Sequence, residues 1–230
     1  MRCSPNCLLV SLLVGLVPAQ ERPPAPAVQP EVVLPPAQRP RAAGQRELFQ
    51  RFAQMAGLEV TFTEVKHVAL LAVPWESSGK LYFLPPGHLC RVVEKPSPSM
   101  VVITPDELRM QDKDKTEVVD LRRNDKVRAF ITALVQVFAG DEAALQRSFH
   151  VEYTLDPKSA QGWRLSLLPR GKPLDQMLKA MVLHGEGETV QRIEWTEPSG
   201  DRTVTTVVTA DPTRRFDAAE RRRWFGIVPK

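Results

Sequence analysis

The sequence predicts a mainly β fold with α-helical elements, an antiparallel sheet of about eleven strands interrupted by one long amphipathic helix. Three observations point to it. Apolar and polar residues alternate with a period of two through most of the chain, as in Leu58, Val60 and Phe62 against Glu59, Thr61 and Thr63. The alternating stretches are separated by short turns rich in Gly, Pro, Ser and Asp, too short for the crossovers that parallel strands require. Between Asn124 and Val151 the period changes to that of a long helix, and such a helix has to find a sheet to cover.

The 230 residues, 43% hydrophobic, suit one domain with tails. Met1-Arg2, the apolar run Leu8 to Val17 and the small residues Val17-Pro18-Ala19 read as a secretory signal peptide, residues 1–19, cleaved near Ala19. The run is too short to span a bilayer. Cleavage also removes Cys3 and Cys7, so the mature chain keeps only Cys90 and has no internal disulfide. Residues 20–44 are rich in Pro and Ala (Pro23, Pro24, Pro26, Pro30, Pro35, Pro36, Pro40), which favours an extended linker over a core. Residues 45–230 form the expected folded domain.

That domain opens with a short helix over Gln45–Ala56, with Leu48, Phe49, Phe52 and Met55 on one face. The strand Leu58, Val60, Phe62 follows. Ser77-Ser78-Gly79 predicts a turn, Lys80–Leu84 a second strand carrying Leu81 and Phe83, and Pro85-Pro86-Gly87 its end. Leu89–Val93, Met100–Thr104 (with Val101 and Ile103), Glu107–Met110 and Glu117–Leu121 continue the meander.

The long helix then carries Val127, Phe130, Ile131, Leu134, Val135 and Phe138 at i, i+3, i+4, i+7, i+8 and i+11, one broad stripe. Asn124 or Asp125 can cap its start, Gly140 can end it in a left-handed conformation, and Asp141 can cap a second short helix through Arg147. Phe149, Val151, Tyr153 and Leu155, then Trp163, Leu165 and Leu167, resume strand parity. Pro173–Lys179 reads as a helical turn, Ala180–Leu183 as a strand and His184-Gly185-Glu186-Gly187 as a turn. Val190–Glu197, with Ile193 and Trp195, and Arg202–Ala210 form a hairpin across Pro198-Ser199-Gly200-Asp201. Asp217–Trp224 is a final helical turn.

The chemistry is sparse. No Gly-x-Ser-x-Gly elbow occurs, Cys90 with His88 lacks an orienting acid, and His67, His88, His150 and His184 have no metal-ligand spacing. Glu186 and Glu188 on a glycine-rich loop read as a simple turn, and no glycine loop cradles phosphate. No enzyme, cofactor or metal site is therefore expected. The net charge of +4 is spread along the chain, and its one dense cluster, Arg221-Arg222-Arg223, reads as a solvated or anionic-surface patch and not a nucleic-acid interface. The apolar excess can fill a packed core, or it can line a half-open barrel whose helices close over a cavity.

Gly79-Lys80-Leu81-Tyr82-Phe83-Leu84-Pro85, Val101-Val102-Ile103-Thr104-Pro105-Asp106, Val137-Phe138-Ala139-Gly140-Asp141 with Leu145 and Phe149, Trp163-Arg164-Leu165-Ser166-Leu167-Leu168-Pro169, and Gly200-Asp201-Arg202-Thr203 together resemble the periplasmic outer-membrane lipoprotein carriers, the LolA-like family, over about Leu48 to Ala210. The resemblance implies an incomplete, half-open antiparallel β-barrel covered by lid helices. The implied cavity is lined by the inward residues of each strand: Val60 and Phe62; Leu81 and Phe83; Val101 and Ile103; Phe149, Val151 and Tyr153; Trp163, Leu165 and Leu167; Ile193 and Trp195. Its lid is Val127, Phe130, Ile131, Leu134, Val135 and Phe138, with Gly140 and Asp141 as hinge. It implies a monomeric carrier taking acyl chains of a lipoprotein, or another lipid, from an inner-membrane releasing complex or transporter to an outer-membrane acceptor. The better-known carriers have a lid-contacting arginine just before the proline that ends the second strand; here that position is Leu84.

Overall fold

The computed structural model describes residues 42–227, apart from Leu70, Lys158, Ala160 and Glu188. The expected signal peptide and almost all of the expected linker lie outside the described residues, as does Glu188. The domain starts with helix α1 (Ala42–Ala53), three residues earlier than its periodicity predicts. Six strands follow: β1 (Leu58–His67), β2 (Trp75–Leu84), β3 (His88–Lys95), β4 (Ser99–Ile103), β5 (Glu107–Gln111) and β6 (Thr116–Asp120). A 3₁₀ turn (Leu121–Arg123) leads to α2 (Asp125–Ala139) and α3 (Glu142–Ser148). Then come β7 (Phe149–Leu155), β8 (Gly162–Pro169), β9 (Ala180–Glu186), β10 (Thr189–Thr196), β11 (Arg202–Asp211) and α4 (Ala218–Phe225).

All eleven strands belong to one antiparallel sheet in the order β6-β5-β4-β3-β2-β1-β11-β10-β9-β8-β7. The two meanders join where β1 pairs with β11, in a register that places Glu64 opposite Thr205 and Lys66 opposite Thr203. The sheet is not closed: β6 and β7 are its two edges, and the chain passes from one to the other through α2 and α3. That connection explains the position of α2. A segment that must join opposite edges of a curled sheet has its shortest route across the concave face, and α2 has the apolar stripe to lie there. Phe138 of α2 meets Phe83 of β2 with ring centroids 5.7 Å apart, and Phe130 meets Trp195 of β10 at 6.0 Å. The helix thus bridges both meanders.

Local signals fix the helix ends as expected. The Asn124 side chain accepts from the Val127 amide, Gly140 closes α2 at φ +66°, and the Asp141 side chain accepts from Ala144 N to start α3. The convex face of the sheet is covered too. Phe216 and Phe225, flanking a capping box of Asp217 and Glu220, pack on Tyr82, Cys90 and Val102. Trp224 stacks on Tyr82 at 4.6 Å. The second core explains Cys90, which is fully buried there with its thiol pushed up to about 12 by burial.

Two expected turns are strand instead. Ser77-Ser78-Gly79 lies inside β2, and β1 ends at His67 and β2 begins at Trp75, so the connection falls before these residues. Gly79 sits at a register shift against β3, where an added Cβ would stand 1.9 Å from the Val92 carbonyl oxygen. His184-Gly185-Glu186 likewise continues β9, and Gly185 makes room for the Trp163 ring, 2.2 Å from where its Cβ would be. In both places glycine serves a close approach across the sheet and not a reversal. Gly79→Ala should therefore cost about 2–3 kcal/mol or more of stability, because the neighbour is backbone and cannot rotate away. Urea unfolding would show it, and an unchanged midpoint would contradict this packing.

Candidate functional site

Two adjoining apolar chambers lie between the concave face and the helices. The larger, about 110 Å³, is bounded by Phe52 of α1, Met55 just after it, Val60 and Phe62 of β1, and Ile193 and Val207 of the second meander. The other, about 80 Å³, extends further along the sheet beneath Leu134 and Trp195. Phe62, Leu81, Val137, Phe138, Leu183, Ile193 and Thr205 line both. The two thus adjoin across a shared wall, a narrow middle to which α2 contributes Val137 and Phe138 and β1 and β2 contribute Phe62 and Leu81.

The expected cavity residues divide between two environments. Val60, Phe62, Leu81, Ile193 and Trp195 line the chambers. Phe83, Val101, Ile103, Phe149, Tyr153, Trp163, Leu165 and Leu167 are buried in the filled core on either side, with Val151 half-buried against it. Leu155, which shares the parity of Phe149, Val151 and Tyr153, is 40% exposed because it is the last residue of an edge strand. Of the expected lid, Leu134 and Phe138 touch the cavity, Val127, Phe130 and Ile131 are buried core, and Val135 is half-buried. Gly140 packs so closely on the end of α1 that a Cβ would lie 2.4 Å from the Phe49 carbonyl oxygen. Leu84 packs against the convex cluster, away from α2.

Sequence reading missed the polar end of this cavity. Glu64 and Arg91, 5% and 6% exposed, line the smaller chamber together with Thr203 and Thr205. Arg91 donates from Nη2 to Glu64 Oε1 at 2.8 Å, and Thr205 Oγ1 donates to Oε2 at 2.8 Å. Ser77, directly opposite on β2, donates a longer bond of 3.4 Å to Oε1. The Arg91 guanidinium also lies 4.7 Å from the Phe62 ring centroid. Burial pushes its pKa down from the usual guanidinium range, while Glu64 opposes the shift. A second buried pair, Lys66 Nζ to Glu197 Oε1 at 3.0 Å, stands beyond it, and there burial raises the Glu197 carboxyl against the opposing effect of Lys66. The strand parity that turns Leu58, Val60 and Phe62 inward also turns Glu64 and Lys66 inward, so the signal was present.

This arrangement can hold an apolar chain and present hydrogen-bond donors at one end. Among the described residues no group of three or more His, Cys, Asp and Glu side chains could hold a metal ion.

Residues 37–221 match the model of the outer membrane lipoprotein carrier protein LolA-like family. No curated protein matches the chain. Among solved structures, a DUF1329 family protein from Desulfovibrio piger is similar at a TM-score of 0.45 and 10% identity, covering 77% of this chain and 95% of that one. A LolA superfamily protein from Nitrosomonas europaea is similar at 0.43 and 10%, covering 76% and 94%. An outer membrane lipoprotein-sorting protein domain from Vibrio parahaemolyticus follows at 0.40 and 11%, covering 74% and 89%. The matched span runs from the start of α1 into α4 and so takes in the whole open sheet and the helices over its cavity: the chain belongs to the LolA-like family of outer membrane lipoprotein carrier proteins.

Proposed function

We propose that this protein is an exported, monomeric carrier that takes the acyl chains of a lipoprotein, or of another lipid, into the cavity beneath α2 and shuttles them from the inner to the outer membrane. The observation that carries the reading is the apolar cavity itself, walled by both meanders and covered by α2 with α1 at one end. An acyl chain gains about 0.8 kcal/mol per buried methylene, so crossing water without a carrier is prohibitive. The family points the same way, as does the expected signal peptide, which suits a mature chain working in the periplasm. An inner-membrane releasing complex and an outer-membrane acceptor complete the cycle.

The chambers are small beside ordinary ligand sites of about 300–1,000 Å³. In the carrier reading, α2 therefore moves outward on loading, with Phe138 withdrawing from the narrow middle and Gly140 and Asp141 at the hinge. The same small volume favours a second reading, an envelope binding module that is filled by its own side chains and transports nothing. Native mass spectrometry of the purified mature protein, with uptake of a fluorescent acyl probe, separates them. Co-purified lipid or saturable uptake supports the carrier. No bound lipid and no uptake would leave the filled module.

A further inference from the structure

We infer that the smaller chamber contains a seat for a neutral acceptor group, the ester or amide that joins an acyl chain to its head. Three buried polar atoms have no hydrogen-bond partner and belong to residues lining that one chamber: Arg91 Nη1, Trp195 Nε1 and Thr203 Oγ1. They come from three strands, β3, β10 and β11, so the grouping is made by the fold and not by sequence proximity. Arginine and tryptophan nitrogens can only donate, and the threonine hydroxyl can donate as well. Leaving such groups unpaired in an apolar enclosure is expensive, and a ligand bearing acceptor oxygens relieves that cost.

Charge decides which acceptor fits. The Arg91 cation is already balanced by Glu64, whose two oxygens are occupied by Arg91, Ser77 and Thr205. Lys66 and Glu197 balance each other next to it. A carboxylate or phosphate entering the chamber would add an uncompensated negative charge beside Glu64 in an enclosure walled by Leu81, Leu89, Leu134 and Ile193. An ester or amide carbonyl brings acceptor lone pairs and no charge. The acyl chain then continues past Val137 and Phe138 into the larger chamber, which is lined by apolar side chains at its α1 end.

The seat rests on the carrier reading, and one competition experiment keeps the two apart. A fatty acid, its methyl ester and the alkane of equal chain length are titrated at pH 8 against a fluorescent acyl probe bound to the mature chain. The ester should compete about tenfold better than the alkane, as one or two well-made hydrogen bonds provide, and better than the ionised acid. The variant Trp195→Phe/Thr203→Val keeps the aromatic contact with Phe130 and the ion pairs. It should lose most of the ester preference, read as the ratio of ester to alkane affinity within the variant, whatever its affinity for the alkane. Equal binding of ester and alkane overturns the seat while leaving the carrier reading standing, and tighter binding of the acid overturns its neutrality. Failure of the probe and of all three ligands to bind would overturn the carrier reading, and the seat with it.

Discussion

Leu134→Asp should give a folded protein that no longer retains an acyl chain, whereas Phe130→Asp should not fold. Both residues lie one turn apart on the apolar stripe of α2, and the sequence alone assigns them the same role. Their surroundings differ. Phe130 is 2% exposed and packs against Trp195, so the substitution removes a large core side chain and buries a carboxylate. The first effect alone is worth about 3–5 kcal/mol, and the second adds to it. Against a total stability of about 5–15 kcal/mol, that sum removes most of the folded population. Leu134 is only half-buried, at the wall of the smaller chamber, so the substitution removes less core packing and the new carboxylate keeps part of its contact with water. The fold should survive with a smaller loss, but the chamber then holds a charge where the chain would lie. Circular dichroism with urea unfolding reads the first outcome, and uptake of a fluorescent acyl probe by the folded variant reads the second. Normal uptake by Leu134→Asp would mean that α2 does not roof the binding space.

The strand count was legible because short turns separate the apolar stretches and period-two alternation is clear in strands such as β1, β5 and β9, and the helix ends because Asn124, Gly140 and Asp141 are strong local signals. What failed were inferences resting on a residue type without its context. Gly79 and Gly185 read as turn glycines, yet each yields space to a neighbouring strand, a requirement set by a partner distant in sequence. The site was half legible. Parity set Phe62, Leu81 and Ile193 on one face of their strands and the family resemblance implied a cavity there, but parity cannot separate a residue lining a gap from one filling it. Phe83 and Ile103 follow the same alternation as Leu81 and are completely buried. That division depends on where Val137 and Phe138 descend from α2, which is a matter of three-dimensional packing. The buried charges were missed for the opposite reason: alternation pointed Glu64 and Lys66 inward, while their composition argued for solvent. A pair partner resolves that conflict, and both partners, Arg91 and Glu197, lie far along the chain.

Those charges supply the second large effect. Arg91→Met should destabilise the protein by about 3–5 kcal/mol, since it leaves Glu64 buried without its cation. The double variant Glu64→Gln/Arg91→Met should recover about half of that loss or more. It removes both charges and still leaves an amide oxygen on β1 to accept the hydroxyl that Thr205 now gives to Glu64 Oε2. Urea unfolding of the wild type, both single variants and the double variant forms the cycle that measures the coupling. If the two single losses simply add, the pair does not act as a unit. The cycle also separates the two roles of Arg91. Its Nη2 holds Glu64 and supports the fold, while its Nη1 has no partner and faces no such structural duty. The double variant should therefore regain half or more of the lost stability and still prefer an acyl ester over the matching alkane less than the wild type does, a combination that loss of packing alone would not produce.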